Sequence, residues 1–234
     1  MNINHKAKNA YRTEMKRADA KAITHALIKW LDNRYQDKTI TTEMSVNTSY
    51  GTKVADVVIS NGHAIAFEVK SDFDTTTRLN EQINGFSEIF EYVYVVFWKE
   101  RFSIEELNLP TNIGAVEAYW SKNGTLHFNL IKKAKINRFL TPVVVGNLLW
   151  KSELEYFLHL KNTITKKSHD KSTLVNLFIK NYNKQESVKI FRFIIKKRFE
   201  KGYLAYQQVK HTTDALRAFI QFKTDKDYLL KLQA

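Results

Sequence analysis

KVADVVISNGHAIAFEVKS, residues 53–71, decides the fold. Two runs rich in β-branched and small apolar residues flank Asn61-Gly62, a dipeptide typical of the turn of a β-hairpin. Side chains alternate between two faces along a strand, so the pairing of the strands determines which residues lie together. A two-residue turn would place Asp56 opposite Phe67 on an apolar face, where an unpaired carboxylate costs several kcal/mol.

A three-residue loop with a left-handed glycine removes this conflict. One face of the hairpin then carries Ala55, Val57, Ile59, Ile65, Phe67 and Val69, and the other carries Asp56, Val58, Ala64, Ala66, Glu68 and Lys70. Because the register of a strand follows its hydrophobic pattern, we predict this second pairing. It brings two carboxylates and one ammonium group together on a face lined by small alanine side chains.

The patterns elsewhere predict an α/β fold. Apolar residues recur with helical spacing over 13–36 and 75–91, and short strand-like runs cover 40–47, 92–98, 113–120 and 125–131. With the first hairpin, these elements form a mixed-sheet core of the order αβββαβ, followed by a second hairpin. From about residue 140 the pattern is helical, over 142–160, 171–183, 186–200 and 204–222. We therefore predict an α/β core in residues 1–136 and a C-terminal helical extension in residues 137–234.

The positive charge of the chain is concentrated in its second part. Residues 1–136 contain 18 Lys+Arg and 16 Asp+Glu, whereas residues 137–234 contain 19 and 8, so the extension carries +11 of the net charge of +13. Such asymmetry is typical of a polyanion-binding extension beside a separate core. The alternative is that the excess lysine serves only solubility.

Residues 188–203, VKIFRFIIKKRFEKGY, are predicted to form a basic amphipathic helix. The side chains expected to face outward are Lys189, Arg192, Lys196, Lys197 and Arg198. Such a face favours contact with the phosphate groups of nucleic acid, which is independent of base sequence and sensitive to salt. A solvated face and a helix lying on a membrane surface are the alternatives.

Several kinds of chemistry are excluded by what the sequence lacks. The chain has no cysteine, which excludes disulfides and thiolate chemistry and suits a reducing cytoplasm. No apolar run approaches the roughly 18 residues that span a bilayer, and the basic N-terminus has no signal-peptide pattern. Zinc-type histidine spacing, the glycine motifs of nucleotide sites and the G-x-S-x-G elbow are all missing. We expect a cytoplasmic protein without a membrane partner.

The predicted cluster of Asp56, Glu68 and Lys70 suggests a metal site. Two carboxylates held close together repel each other unless a cation lies between them. Oxygen ligands favour Mg²⁺, with Mn²⁺ as a possible substitute, and a lysine beside the ion can orient an attacking water. The alternative is an ordinary ion pair between Lys70 and a carboxylate on a solvated sheet face.

This arrangement resembles the PD-(D/E)XK nuclease-like superfamily, with Ala55-Asp56 at the end of one strand and Glu68-Val69-Lys70 in the next. It is similar to a branch of bacterial and phage proteins in that superfamily, mainly through ADVVI…FEVKSDFDT and RLNEQINGFSEIFEYVYVV. The shorter segments LP…GA and LLWKSELEYFL extend the resemblance over roughly residues 20–200. Ala55 stands where the superfamily motif has proline. The resemblance implies a restriction-endonuclease-like core.

The resemblance also implies roles for individual residues. Asp56, Glu68 and the backbone carbonyl of Val69 would bind the metal, and Lys70 would serve the water. The catalytic set that it implies also includes Gln82 from the following helix, where superfamily members often supply a glutamine. Gln82 and Arg78, four residues apart on one helical face, could each reach a phosphate of the nucleic acid or hold Lys70. The alternative for both is an ordinary solvated flank of the helix.

Superfamily members often add an acid from the first helix or strand. Glu43, on a predicted strand, is the preferred candidate, and Glu14, on the predicted first helix, is the alternative; either could instead be an ordinary surface charge. Asp72 and Asp74 would extend the metal site, or Asp74 would cap the helix that follows.

The sequence thus predicts a metal-dependent nuclease, an endonuclease acting on double-stranded DNA, which could function as a homodimer. Lys70 would hold the attacking water, and Mg²⁺ would stabilise charge on the phosphate. The second prediction is a non-catalytic nucleic-acid-binding or regulatory protein on a nuclease-like scaffold. The third is an adaptor whose basic extension binds a partner protein.

Overall fold

The structure of the protein, a computed structural model, describes residues 17–222, 224–225 and 227–233. Its strands are β1 (Thr39–Thr48), β2 (Gly51–Ser60), β3 (Ala64–Lys70), β4 (Tyr92–Trp98), β5 (Gly114–Trp120) and β6 (Leu126–Lys132). Its helices are α1 (Ala20–Arg34), α2 (Leu79–Ile89), α3 (Ile104–Leu107), α4 (Pro142–Leu148), α5 (Lys151–Leu160), α6 (Lys171–Asn181), α7 (Lys184–Val209), α8 (Arg217–Gln221) and α9 (Tyr228–Gln233).

The six strands form one mixed sheet in their sequence order, β1 to β6. β1, β2 and β3 pair antiparallel, β3, β4 and β5 pair parallel, and β6 returns antiparallel to β5. A parallel neighbour requires a crossover, and α2 supplies it between β3 and β4. The predicted mixed α/β fold is confirmed, and α1, β1, β2, β3, α2 and β4 follow the predicted order.

The register of the β2–β3 hairpin is the predicted one. Val57 pairs with Phe67, and Ser60 pairs with Ala64 across a three-residue loop. Gly62 lies in that loop with φ of 93°, in the left-handed region that favours glycine. One placement was wrong: Ala55 packs on the α2 side of the sheet and not beside Val57, because the alternation is interrupted close to the end of the hairpin.

Helices cover both faces of the sheet. On one face α2 and α4 to α6 pack over the small side chains of the hairpin, around Val58, Ala64 and Ala66. On the other face α1 packs over the larger side chains, among them Ile65 and Phe67. The long helix α7 contributes to both cores and contacts the edge strand β1, so this edge is covered by helix.

The helical extension differs from the prediction in where its helices begin and end. The predicted helix at 142–160 is two helices, because Leu149 and Trp150 are extended and Trp150 begins a new capped helix. Conversely, α7 continues through Gly202, where a break was predicted. A side chain at Gly202 would lie 2.8 Å from the carbonyl oxygen of Phe222, so this glycine permits close packing of the chain and does not end the helix.

Candidate functional site: a buried acid and lysine pocket

Four of the predicted site residues meet at the end of the hairpin. The Nζ of Lys70 donates to Oε1 of Glu68 at 2.8 Å and to Oε1 of Gln82 at 3.0 Å. The Nε2 of Gln82 donates back to Oε1 of Glu68 at 2.6 Å. Continuing the hairpin register by one position places Asp56 opposite Glu68. We call Asp56, Glu68, Lys70 and Gln82 the acid–lysine pocket.

Asp56 also completes the backbone pairing of β3. Its Oδ2 accepts a hydrogen bond from the backbone N–H of Val69 at 2.6 Å. The carboxylate therefore ties β2 to β3 beyond the last backbone pair of the hairpin, which is Val57 with Phe67. This contact engages the N–H of Val69, whereas the prediction concerned its carbonyl as a metal ligand.

Glu43 lies on β1 at the same level as the pocket. Thr42 pairs with Val57 and Met44 pairs with Ala55, so Glu43 is opposite Asp56. Its φ of 51° is left-handed, which costs a residue with a side chain about 1–2 kcal/mol. Strained backbone of this kind clusters at functional sites. The alternative acid, Glu14, lies outside the described residues.

The electrostatics of the pocket are unfavourable to its two carboxylates. Burial raises the pKa of Glu68, and the neighbouring charge of Asp56 raises it further. Burial likewise raises the pKa of Asp56, against the opposing effects of the Val69 N–H and Lys70. The Oε2 of Glu68 is buried and accepts no hydrogen bond from any residue that the structure describes. The pocket thus holds more negative charge than its own donors neutralise.

The predicted metal ligands can be compared with what Mg²⁺ requires. Within residues 17–222, 224–225 and 227–233, no group of three or more His, Cys, Asp or Glu side chains is arranged to hold a metal ion. Asp56 and Glu68 remain as a pair, with one unpartnered oxygen on Glu68. Two carboxylates fit a hydrated Mg²⁺, which usually keeps several of its waters.

The other predicted residues near the pocket have separate surroundings. Arg78 is exposed at the N-cap of α2, without a side-chain cap hydrogen bond. Asp74 does not cap that helix, because its Oδ2 instead accepts from the backbone N–H and hydroxyl of Ser71, at 2.8 and 2.5 Å. Asp72 forms an ion pair with Arg17 at 3.2 Å.

Several basic side chains of α7 that were predicted to face outward form ion pairs within the protein. Arg198 is buried, pairs with Glu153 and stacks on Trp150, so the prediction that it faces outward is wrong. Lys196 pairs with Asp37 at 2.5 Å. Lys197 pairs with Glu200, three residues later on the same helix.

Arg192 belongs to a second buried acid cluster that the sequence did not reveal. Its Nε and Nη2 donate to the two oxygens of Glu91 at 2.9 and 2.5 Å. Glu91 also accepts from the backbone N–H of Ala64 at 3.0 Å and contacts Nδ1 of His63 at 3.0 Å. The one available signal was a single acid between apolar runs, because Glu91 lies between Phe90 and the strand β4.

The fold and pocket define a class: an α/β protein with a buried acid–lysine pocket and a basic helical half. The model of the family Bacteriophage P4 protein cII matches residues 12–219. The chain therefore belongs to this family. Protein cII of Enterobacteria phage P4 is 36% identical over 136 residues, which cover 57% of this chain and 50% of that protein. The chain thus spans about half the length of this relative. No solved structure matches the chain.

This membership overturns the resemblance to the PD-(D/E)XK superfamily. The family that matches is that of protein cII, and neither matched description names a nuclease. The predictions of an Mg²⁺-dependent phosphodiesterase and of a deoxyribonuclease or endonuclease were therefore wrong, as was the description of a magnesium-dependent hydrolase. The D…E-x-K spacing is not specific to nucleases. Residues two apart on a strand lie on the same face, so the spacing also occurs where a lysine neutralises a buried glutamate, as Lys70 does for Glu68.

Membership in the cII family favours the second prediction, a non-catalytic nucleic-acid-binding or regulatory protein, over the nuclease. No helix in the described part of the chain has the length and apolar character needed to cross a membrane.

Proposed function

We propose that the protein is a non-catalytic regulatory protein that binds nucleic acid, with double-stranded DNA as the partner. The observation that carries this proposal is the charge of residues 137–234, which hold 19 Lys+Arg against 8 Asp+Glu. Such a basic region binds a polyanion because its cations displace the counterions that are condensed on the polyanion, and their release favours binding. The family match supports a function without catalysis.

In this function the acid–lysine pocket positions structural elements. Lys70 and Gln82 connect β3 to α2 through Glu68, and Asp56 connects β2 to β3. The Mg²⁺ of the sequence analysis stays a prediction, with Mn²⁺ as its substitute. Asp56, Glu68 and the Val69 carbonyl would hold the ion, which would supply positive charge between the two acids. Thermal unfolding with and without MgCl₂, for the protein and for Asp56→Asn, tests this prediction.

Several finer expectations stay predictions within this proposal. Arg78, Arg192, Lys196 and Lys197 are expected to contact DNA phosphates. Arg198 was predicted to do so as well, but it is buried and paired with Glu153. A domain boundary between residues 136 and 137, a restriction-endonuclease-like core, a homodimer and a cytoplasmic location likewise stay predictions.

Fluorescence anisotropy of a short labelled duplex across a series of KCl concentrations tests the proposal. We expect binding at low salt that weakens linearly on a plot of log K against log salt, with a slope of about −0.9 for each phosphate contacted. Asp56→Ala should leave this binding intact, because the pocket is not the DNA-contacting surface. Absence of binding even at low salt would contradict the proposal.

A further inference from the structure

The cations of α7 fall into two groups along the helix. In the second half, Lys196, Lys197 and Arg198 each have a carboxylate partner. In the first half, Lys184 and Lys189 form no ion pair with any carboxylate among the described residues. Positive charge without an ion pair among the described residues therefore lies at the beginning of the helix, on Lys184 and Lys189, and farther along it on the exposed Lys201, whose Nζ lies over the ring of Phe222.

Lys184 and Lys189 line a cavity between α7 and the segment that leads into the extension. The cavity has a volume of about 510 Å³. We call it the basic groove, and its lining residues are Glu91, Ile136, Asn137, Arg138, Leu140, Lys184, Gln185, Val188, Lys189 and Arg192. Its volume is within the range of about 300–1,000 Å³ that is typical of ligand sites.

The residues that line the basic groove carry a net positive charge, and Lys189 also interacts electrostatically with Glu186, which is paired with Lys161. The one acid that lines the groove is Glu91, and both oxygens of Glu91 are already bound by Arg192. Arg138 is exposed and, like the two lysines, forms no ion pair with a carboxylate in the part of the chain that the structure describes. Three cations thus face a cavity whose only carboxylate is neutralised by a fourth.

Both walls of the basic groove are held in place by hydrogen bonds. The Nζ of Lys184 donates to the carbonyl of Arg138 at 2.6 Å, which joins α7 to the opposite wall. The backbone N–H of Asn137 donates to the carbonyl of Glu91 at 2.7 Å, and its side chain donates to the carbonyl of Phe90 at 3.2 Å. A site that needs no rearrangement loses less entropy on binding.

We propose that the basic groove binds the phosphodiester backbone of DNA, with Arg138, Lys184 and Lys189 as the phosphate contacts. This inference rests on the proposed DNA-binding function and locates its surface. Charge complementarity identifies the occupant, because three unpaired cations beside the apolar side chains of Ile136 and Val188 match a phosphate and its sugar. The contact positions the protein on DNA without reading base sequence.

The test uses the full chain and two triple variants with equal loss of charge. The groove variant is Arg138→Gln, Lys184→Gln and Lys189→Gln. The control variant is Lys166→Gln, Lys167→Gln and Lys180→Gln, three exposed lysines that do not line the groove. Binding of a labelled duplex is measured by anisotropy over a KCl series, and thermal unfolding checks that both variants fold like the unchanged protein.

We expect the groove variant to lose at least about 30-fold in affinity at low salt and to lower the salt slope by about 2–3. The control variant should lose less than about 3-fold. Equal losses in the two variants, with binding by the unchanged protein, would overturn the groove assignment and leave DNA binding standing. No binding by the unchanged protein at any salt would instead overturn the proposed function.

A third arm distinguishes DNA from a small phosphate ligand. Sodium phosphate and KCl are compared as competitors at equal ionic strength. The proposal predicts that the two salts displace the duplex equally, because the groove would recognise the polyanion. Preferential displacement by phosphate, lost in the groove variant, would assign the site to a small anion and contradict the proposal.

Discussion

Two glutamates in this protein are equally buried and experience opposite electrostatic surroundings. Glu68 and Glu91 each expose 3% of their surface. Burial and the charge of Asp56 raise the pKa of Glu68, and its Oε2 lacks a partner among the described residues. For Glu91, burial also disfavours the charged form, but hydrogen bonds from Arg192, His63 and the N–H of Ala64 outweigh it and lower the pKa.

The difference separates a residue that holds the fold from one that strains it. Glu91 joins the hairpin to helix α7 through Arg192, 101 residues later in the chain, so its charge is structurally engaged. Glu68 shares one lysine with a second carboxylate and is only partly neutralised. The acid–lysine pocket therefore lowers the local stability of the fold, whereas the Glu91 cluster raises it.

The same substitution at the two positions should have opposite effects, and the larger effect is expected at Glu91. Glu91→Gln removes the charge that neutralises the half-buried Arg192. Breaking a buried charged pair in this way is expected to lower the free energy of unfolding by about 3 kcal/mol. Urea denaturation at pH 8 measures the change. No destabilisation would mean that Arg192 is satisfied by solvent and that the cluster does not hold α7.

The second-largest effect is expected in the pH dependence of stability, through the two acids of the acid–lysine pocket. Asp56 and Glu68 have pKa values raised to about 6 and about 7, so the folded state binds more protons than the unfolded state between about pH 4 and pH 7. The two acids therefore contribute to the free energy of unfolding at low pH, where both are protonated, and this contribution is lost as pH rises through their folded-state pKa values. We expect the free energy of unfolding to fall over this window, relative to the double variant Asp56→Asn, Glu68→Gln. If the unchanged protein and the double variant show the same dependence of unfolding free energy on pH, the raised pKa values of Asp56 and Glu68 are contradicted.

Glu68→Gln is expected to stabilise the protein. The amide keeps the shape of the side chain, removes the repulsion with Asp56 and leaves Lys70 with Asp56 and Gln82 as neighbours. The free energy of unfolding at pH 8 should rise by about 1 kcal/mol, the magnitude of one relieved unfavourable polar burial. Destabilisation would show that the Lys70–Glu68 ion pair contributes more than the repulsion costs.

The smallest change is expected at the surface pair on α7. Lys197 and Glu200 are both partly exposed, so their attraction is weakened by solvent. Lys197→Ala should change the free energy of unfolding by less than about 0.5 kcal/mol. A larger loss would indicate that the second half of α7 depends on its surface charges, and the contrast with the buried clusters would then weaken.

Much of the core could be predicted because its signals are local. Period-two alternation across residues 53–71 and the need to avoid a buried Asp56 were sufficient to determine the register of the hairpin. That register in turn brings Asp56, Glu68 and Lys70 to one place. The interruption at Ala55 was not predictable, because it accompanies the left-handed backbone of Glu43 on the neighbouring strand.

The partners of the basic helix could not be read from spacing, because they come from distant parts of the chain. Arg198 binds Glu153, 45 residues away, and Arg192 binds Glu91, 101 residues away. For Lys197, by contrast, Glu200 at helical spacing was a visible signal. Function was misassigned for a related reason, since the same three ionisable residues can serve a metal or an ion pair.

Binding and cleavage measured on one DNA sample test the central claim most directly. The protein and its Lys70→Ala variant are incubated with a labelled duplex in excess MgCl₂, then divided between anisotropy and a denaturing gel. We predict that both proteins bind the duplex with the same affinity and that its strands stay intact. Strand cleavage by the unchanged protein that disappears in Lys70→Ala would contradict a non-catalytic function.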